Sequence, residues 1–307
     1  MNGLPTWPHE AAPWHAGEVA MQQRAGSAAA LAEAGRHIVR AEMPPQHRDF
    51  FAQLPFIVLG AADAAGQPWA TLLAGAPGFV KPAAADRLQL RALPAPGDPL
   101  HGALHEGQPV ALLGIEPHTR RRNRANGDIR SLGDSGFALQ VRQSFGNCPR
   151  HIQPRGLQPV PASAAAPERG AARQGRAAEL VRAADTFFIA TQALTGEVSG
   201  GADVSHRGGA PGFVQLGADG TLLTWPDYAG NRFFNTLGNL ALDPRAGLVF
   251  VDFEQGDVLH VAGVAEVVWQ GEELARFEGA QRLLKLQVRQ WVLRRGAWPW
   301  RTRPAAG

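Results

Sequence analysis

The chain is poor in the residues that cross-link or anchor a protein. Of its 307 residues one is cysteine, one is tyrosine, and lysine stands only at positions 81 and 285. The lone cysteine, Cys148, excludes an internal disulfide framework and fits a reducing compartment. No apolar run reaches the roughly 18 residues that a membrane-spanning helix requires, so no membrane partner is expected. The opening MNGLPTWPHE lacks the basic start and apolar core of a secretion signal, and a cytoplasmic location is the expectation. Formal charge is only +3, without interleaved basic and aromatic residues, which argues against nucleic acid. No G-x-G-x-x-G lies between a strand and a helix, and neither G-x-S-x-G nor H-E-x-x-H occurs. Those absences remove the dinucleotide-fold, nucleophile-elbow and zinc-protease patterns.

What is present is mostly strand pattern. Residues 1–48 read as an N-terminal arm and helix. The first 26 are irregular, rich in Pro, Trp and Ala, and WHAGE at 14–18 is either a tryptophan-anchored cover or a lid beside a ligand. A helix over 28–43 stops at Pro44-Pro45, and a short one over 46–53 puts Phe50, Phe51 and Leu54 on one side. From Pro55 the segments PFIVLGAAD, PWATLLAGA, RLQLRAL, PVALLGIEP and GFALQVRQSF predict five or six antiparallel strands. A helical piece at 100–106 interrupts them, and Asn126-Gly127 predicts a hairpin turn. Residues 159–173, rich in Ala, Pro and Ser, read as a linker. A helix over 174–184 follows, then TFFIATQAL, ADVSH, GGAPGFVQL and TLLTWPD as strands and NRFFNTLGNLAL as a helix. AGLVFVDF and VLHVAGVAEVVW are further strands, GEELARFEGAQR a helix, and LLKLQVRQWVLRR the last strand.

The pattern occurs twice. GAPGFV stands at 75–80 and again at 209–214. Pro55-Phe56-Ile57 answers Phe187-Phe188-Ile189, and Gly127-Asp128-Ile129 answers Gly256-Asp257-Val258. The expected organisation is a first half over 49–158, a linker over 159–173, a second half over 174–295 and a tail over 296–307. Two antiparallel barrels in tandem, closed so as to hide their edges, are the predicted architecture.

The halves differ in chemistry. Where the second reads SHRGGAPGFV the first reads TLLAGAPGFV, apolar in place of Ser205, His206 and Arg207. Hydroxyl, imidazole and guanidinium donors beside Gly208, with Asn231, Arg232, Asn235 and Asn239 following, suit a phosphate-bearing ligand. A well-turned sheet with polar loops fits the same residue types. Asn235 and Asn239, four apart on a helix, share a face and serve either a ligand or the helix cap.

SHRGGAPGFV, PDYAGNRFFNTLGNL and GLVFVDFEQGDVLHVAG together resemble the FMN-binding split-barrel superfamily, in its pyridoxamine 5'-phosphate oxidase-like branch. The resemblance extends over 49–295, with a weaker echo at WHAGE. It implies a mainly β fold with peripheral helices, two tandem split-barrel halves forming an intramolecular pseudo-dimer. It implies one FMN in the cleft between halves, held by Ser205, His206, Arg207, Gly208, Pro226, Asn231, Arg232, Asn235 and Asn239. Arg207 and Arg232 are assigned to the phosphate, and the apolar first half to scaffold. Hydride or electron transfer is implied, with a nicotinamide nucleotide, a small organic molecule or a separate reductase as partner and a homodimer as an open state. No catalytic residue is assigned.

FGNCPRH at 145–151 also resembles that branch, which places Asn147 and Arg150 on a second wall of the flavin site. Cys148 before a proline reads as a small buried hydrophobe. The basic run Arg120, Arg121, Arg122, Arg124 reads as a solvated strand end, the alternative being capture of a phosphate. His101 and His105 lack a third metal ligand in sequence. The competing functions are a non-catalytic flavin- or nucleotide-binding module and a haem-binding barrel, with His101, His105 or His206 as haem ligands.

Overall fold

A computed structural model describes residues 7–162, 165–170 and 175–303. Three helices, α1 (Ala16–Arg24), α2 (Ala28–Ile38) and α3 (Pro45–Gln53), precede the first sheet. That sheet comprises β1 (Phe56–Ala62), β2 (Pro68–Ala74), β3 (Val80–Ala84), β4 (Arg87–Leu90), β5 (Pro109–Glu116), β6 (Arg121–Gly133) and β7 (Gly136–Gly146). After the short β8 (Leu157–Pro159), β9 (Glu168–Gly170) and α4 (Arg176–Ala183) comes the second sheet. It holds β10 (Thr186–Ala193), β11 (Gly201–Gly208), β12 (Gln215–Leu216), β13 (Leu222–Tyr228), β14 (Arg245–Val251), β15 (Val258–Val268) and β16 (Ala280–Arg294), and β9 pairs with β16 off the main path. Helix α5 (Asn235–Leu242) lies between β13 and β14, and β17 (Trp300–Thr302) pairs with β8.

The fold is mainly β, with few helices. The first sheet runs β2-β1-β5-β6-β7-β4-β3 and the second β11-β10-β14-β15-β16-β13-β12. Strand for strand, the order is the same.

The apolar runs PFIVLG and TFFIAT have a physical cause in this arrangement. Ile57 and Leu59 of β1 face the core inside the first sheet, whereas Phe56 and Val58 face a core between the sheets. Likewise Phe187 and Ile189 of β10 point inward to the second sheet, and Phe188 and Ala190 toward the shared core. A strand buried on both faces loses the polar alternation of a half-exposed one. Ala70, Ala111, Leu113, Val204, Val249 and Trp298 also belong to the shared core.

GAPGFV forms the same turn in both places, and not the strand expected over 208–216. Gly78 and Gly212 both sit at φ +85°, after Pro77 and Pro211, as a type II turn requires. Phe79 and Phe213 fold back over Gly75 and Gly209 into their cores. The turn also sets the register. Gly75 N–H bonds Pro55 O and Gly209 N–H bonds Asp185 O, so Pro55 corresponds to Asp185, not Phe187.

Other expectations need correction. Asn126-Gly127 is not a hairpin turn; β6 runs through it, and Asp134-Ser135 makes the turn to β7. Gly127 sits at a β-bulge where a Cβ would meet Gln140 O at 1.9 Å, so close backbone approach is its requirement. Its structural counterpart is Gly263, at the bulge of β15, where a Cβ would meet Gln287 O at 2.1 Å, and not Gly256.

Helix α2 ends at Ile38, five residues short of expectation, where Val39 turns extended and is fully buried. The arm expected to be irregular contains α1. Residues 100–106 form turns, and 271–282 yield only a 3-10 helix, Glu272–Arg276, before β16 begins. Parts of the expected linker (163–164, 171–173) and tail (304–307), residue 174 of the expected helix, and the first six residues of the arm lie outside the described residues.

Candidate functional site

A cleft of about 120 Å³ opens between the start of β6, the segment after β7, strand β11 and the loop leading into α5. Both sheets contribute to it. Six arginines line it, Arg122, Arg124, Arg150, Arg207, Arg232 and Arg282, against a single carboxylate, Asp227.

Strand β11 places Asp203, Ser205 and Arg207 on one face by its period of two, and His206 on the other. Arg124, reaching from the first sheet, is buried. One terminal nitrogen donates to the Asp203 carboxylate and to Asn235 Oδ1 (2.9 Å), and the other donates to the Ser205 hydroxyl. Ser205 also accepts from Thr236 (2.9 Å) and donates to Asp203 (3.0 Å), so its hydroxyl is fully engaged within the protein. Arg207 donates to Asp227 (2.7 Å), and Arg282 Nε lies 3.1 Å from the other oxygen of that carboxylate.

His206 is the informative group. Arg122 Nη1 stands 3.0 Å from its Nδ1, and a guanidinium only donates, so Nδ1 accepts and the ring proton sits on Nε2. Burial first, then Arg122 and Arg207, hold this imidazole well below its ordinary pKa, so it is neutral. Its Nε2–H has no partner among the described residues, although the atom is buried at the cleft. Arg122 itself is pushed down to about 9 by burial and by the neighbouring Arg124. Arg122 Nε, Arg124 Nε, Arg207 Nε and Arg282 Nη1 are also buried donors without hydrogen-bond partners. Donors left unpaired in a cluster of like charges are costly unless an anion completes them.

The loop before α5 supplies strain. Arg232 and Phe234 both adopt left-handed backbone, at φ 60° and 64°, which non-glycine residues adopt at a cost. Asn231 Oδ1 stabilises the turn by accepting from Phe233 N–H (3.2 Å). At the other wall, His151 stacks on Tyr228 with ring centroids 4.9 Å apart, and Arg150 donates to Ala229 O (3.4 Å).

Of the residues singled out in sequence, Ser205, His206, Arg207, Gly208, Pro226, Asn231, Arg232 and Asn235 line the cleft. Asn239 is not among its lining residues. Its amide bonds Thr191 (3.0 Å), and its oxygen meets His15 Nε2 (2.8 Å). Asn235 divides its amide between Arg124 and Glu18. The two asparagines thus tie α1 to the floor of the cleft. Gly208 is needed because a Cβ would meet His151 O at 2.1 Å.

WHAGE is a buried anchor. His15 and Glu18 form a capping box on α1, and Trp14 packs on Phe233 with centroids 5.0 Å apart. Burial pushes the Glu18 carboxyl up to about 8, and lowers His15.

Arg122 and Arg124 correct the reading of 120–124 as a solvated strand end; Arg120 and Arg121 are exposed, but their neighbours enter the cleft. Composition hid this. The two-residue spacing of Arg122 and Arg124 in a strand was the available signal. Arg282 had none, because it is brought in by sheet pairing, whereas Asp203 stands two residues before Ser205 on β11 and that spacing was its signal. Cys148, read as a small buried hydrophobe, is instead half-exposed and lines the cleft, its carbonyl accepting from Arg122. His101 and His105 lie outside the cleft, each with Nδ1 on a backbone carbonyl (3.0 Å). Among the described residues no group of three or more metal-ligating side chains occurs.

Residues 174–296 match the family model of pyridoxamine 5'-phosphate oxidase. The match therefore covers the second half, a shorter span than the 49–295 of the resemblance. No curated protein matches the chain. Among solved structures, HupZ of Group A Streptococcus is similar at 16% identity and a TM-score of 0.31, over 39% of this chain and 93% of that one. HutZ, the heme storage protein from Vibrio cholerae, is similar at 16% and 0.28, over 39% and 93%. The FAD binding protein from Mycobacterium smegmatis is similar at 15% and 0.27, over 39% and 92%.

Proposed function

We propose that this chain, which through residues 174–296 belongs to the pyridoxamine 5'-phosphate oxidase-like split-barrel superfamily, is an FMN-dependent oxidoreductase. The observation that carries the reading is the cationic cleft with unpaired donors: six arginines to one aspartate, and an unpartnered His206 Nε2–H. Those residues fit a flavin phosphate. Arg207, Arg232 and Arg122 would hold the dianion through charge-assisted hydrogen bonds, and His206 would donate as a neutral ring. The terminal nitrogens of Arg124, the Asp203 carboxylate and the Ser205 hydroxyl are already engaged with one another and keep the floor rigid.

The flavin, when bound, supplies hydride or electron transfer, and the protein supplies binding and orientation. The reacting partner is a nicotinamide nucleotide, a small conjugated molecule or a separate reductase. The two sheets of identical strand order support reading the chain as a pseudo-dimer in one polypeptide, with the first half as scaffold and one wall.

The haem alternative is weaker on one specific ground. An imidazole whose Nδ1 accepts from Arg122 carries its proton on Nε2 and offers no lone pair there to iron. His101 and His105 are not among the residues that line the cleft.

The test is an absorbance spectrum of the purified chain with added FMN, followed by assay with reduced nicotinamides. Flavin bands with turnover are expected. Bound flavin without turnover would leave a carrier module, and a Soret band would replace the proposal with haem.

A further inference from the structure

Two neighbouring residues of the loop before α5 are buried in different cores. Phe234 packs in the core of the second sheet. Phe233 packs with Trp7, Trp14, Leu31 and Val39 of the N-terminal segment and with Phe145 at the end of β7. Among the described residues it is the only member of that small cluster from the second half. Arg232 and Phe234, the residues in left-handed backbone, flank it on either side. Strain of this kind persists only where the surroundings over-determine the backbone. Here the surroundings of Phe233 are mostly the arm.

Gln22 of α1, fully buried, donates from Nε2 to Phe233 O (3.1 Å). The Trp14 ring lies against Phe233, and its Nε1 is fixed on Leu31 O of α2 (2.9 Å). Beyond the loop, Glu18 accepts from the Asn235 amide and His15 bonds Asn239 Oδ1, so α1 is held along the start of α5 as well. The two helices approach so closely that a Cβ on Gly17 would meet Gly238 O at 2.2 Å. Helix α1 is therefore a rigid support from which the carbonyl and the ring of Phe233 are both held. Neither Gln22 nor Trp14 lines the cleft, whereas Arg232 does.

We propose that α1 clamps the ligand loop: Gln22 through the Phe233 carbonyl, and Trp14 through the Phe233 ring, hold residues 231–234 in the strained conformation that presents Arg232 to an anionic ligand. Gln22 is thus a positioning residue, acting on the cleft without touching what binds there. The contact of Arg232 with a flavin phosphate rests on the flavin reading, and the hold of α1 on the loop does not.

A double-mutant cycle and amide exchange test it on the full chain. Gln22→Met removes the donor and keeps the length of the side chain. It is expected to weaken FMN binding about fivefold in the parent and less than about twofold in an Arg232→Ala background, the coupling of two residues that act through one loop. An unchanged affinity in the parent, or equal losses in both backgrounds, would overturn the proposal. In the FMN-free protein, Gln22→Met should speed amide exchange over 231–236 about tenfold and leave β13 at the parent's rate. Parent-like exchange over 231–236, or equal acceleration of β13, rejects the clamp. If Gln22→Met does not fold, Phe233→Leu, which keeps an apolar side chain in the cluster but loses the ring against Trp14, runs the same two measurements with the same expectations. A parent chain that takes up no FMN would fail the flavin reading, and the exchange result alone would then decide on the clamp.

Discussion

The two sheets share strand order, a repeated type II turn and a bulge glycine, yet differ where β11 lines the cleft and β2 does not. Leu72 and Leu73 occupy the positions of His206 and Arg207. Scaffold and chemistry are therefore carried by separate residues. The scaffold depends on close backbone approach and two-sided burial, and it tolerates either chemistry on the strand that crosses it.

The comparison breaks most severely at the bulges. Gly127→Val and Gly263→Val each force a side chain into a backbone oxygen at 1.9 and 2.1 Å, and each is expected to cost more than about 4 kcal/mol. Soluble yield and circular dichroism would show the loss; a mild effect at one bulge alone would end the equivalence of the two.

Next comes an exchange of roles. Leu73→Ala should lower stability by about 3 kcal/mol through a core cavity and leave flavin affinity unchanged. Arg207→Ala should weaken FMN binding at least about tenfold. It should leave the fold nearly intact, because Arg282 still pairs with Asp227. Denaturant melts and flavin titration of both variants separate the two effects.

The arm adds a pH dependence of its own. Between about 4.5 and about 8 the folded chain keeps a Glu18 proton that the unfolded chain releases, so stability falls as pH rises through that window and levels above it. Glu18→Gln removes that slope, an effect on the order of 4 kcal/mol at pH 8. On the acid side the sign reverses. His15, His47 (down to about 4) and His206 are held neutral, mainly by burial, so the stability they contribute is present above about 6.5 and is lost as pH falls. Melting temperatures at pH 5, 6.5 and 8 check both limbs. The smallest effect is shared: Gly78→Ala and Gly212→Ala should each cost about 1–2 kcal/mol, by the same amount.

Legibility in sequence followed the range of the interactions. Strands such as β1, β5, β10 and β14 are visible because burial on both faces leaves an uninterrupted apolar run. The dipeptide Asn126-Gly127 misleads because a local turn propensity competes with a bulge that needs glycine for a contact with Gln140, thirteen residues away. The cleft residues on β11 and before α5 are adjacent in the chain and stand out together. Arg122, Arg124 and Arg282 belong to the same cleft only through pairing of distant strands, and their surroundings in sequence look like ordinary surface.

The shared core between the sheets has a consequence during synthesis. When the first sheet is complete at Gly146, its outward residues Phe56, Val58, Ala70, Ala111 and Leu113 have nothing to cover them. Their cover, Phe188, Val204 and Val249, follows over roughly a hundred residues, a delay of about 5–20 seconds at ordinary translation rates. For that interval the nascent chain carries an apolar sheet face into the cell, and chaperone capture of the half-made protein is the expected cost of joining two sheets in one polypeptide.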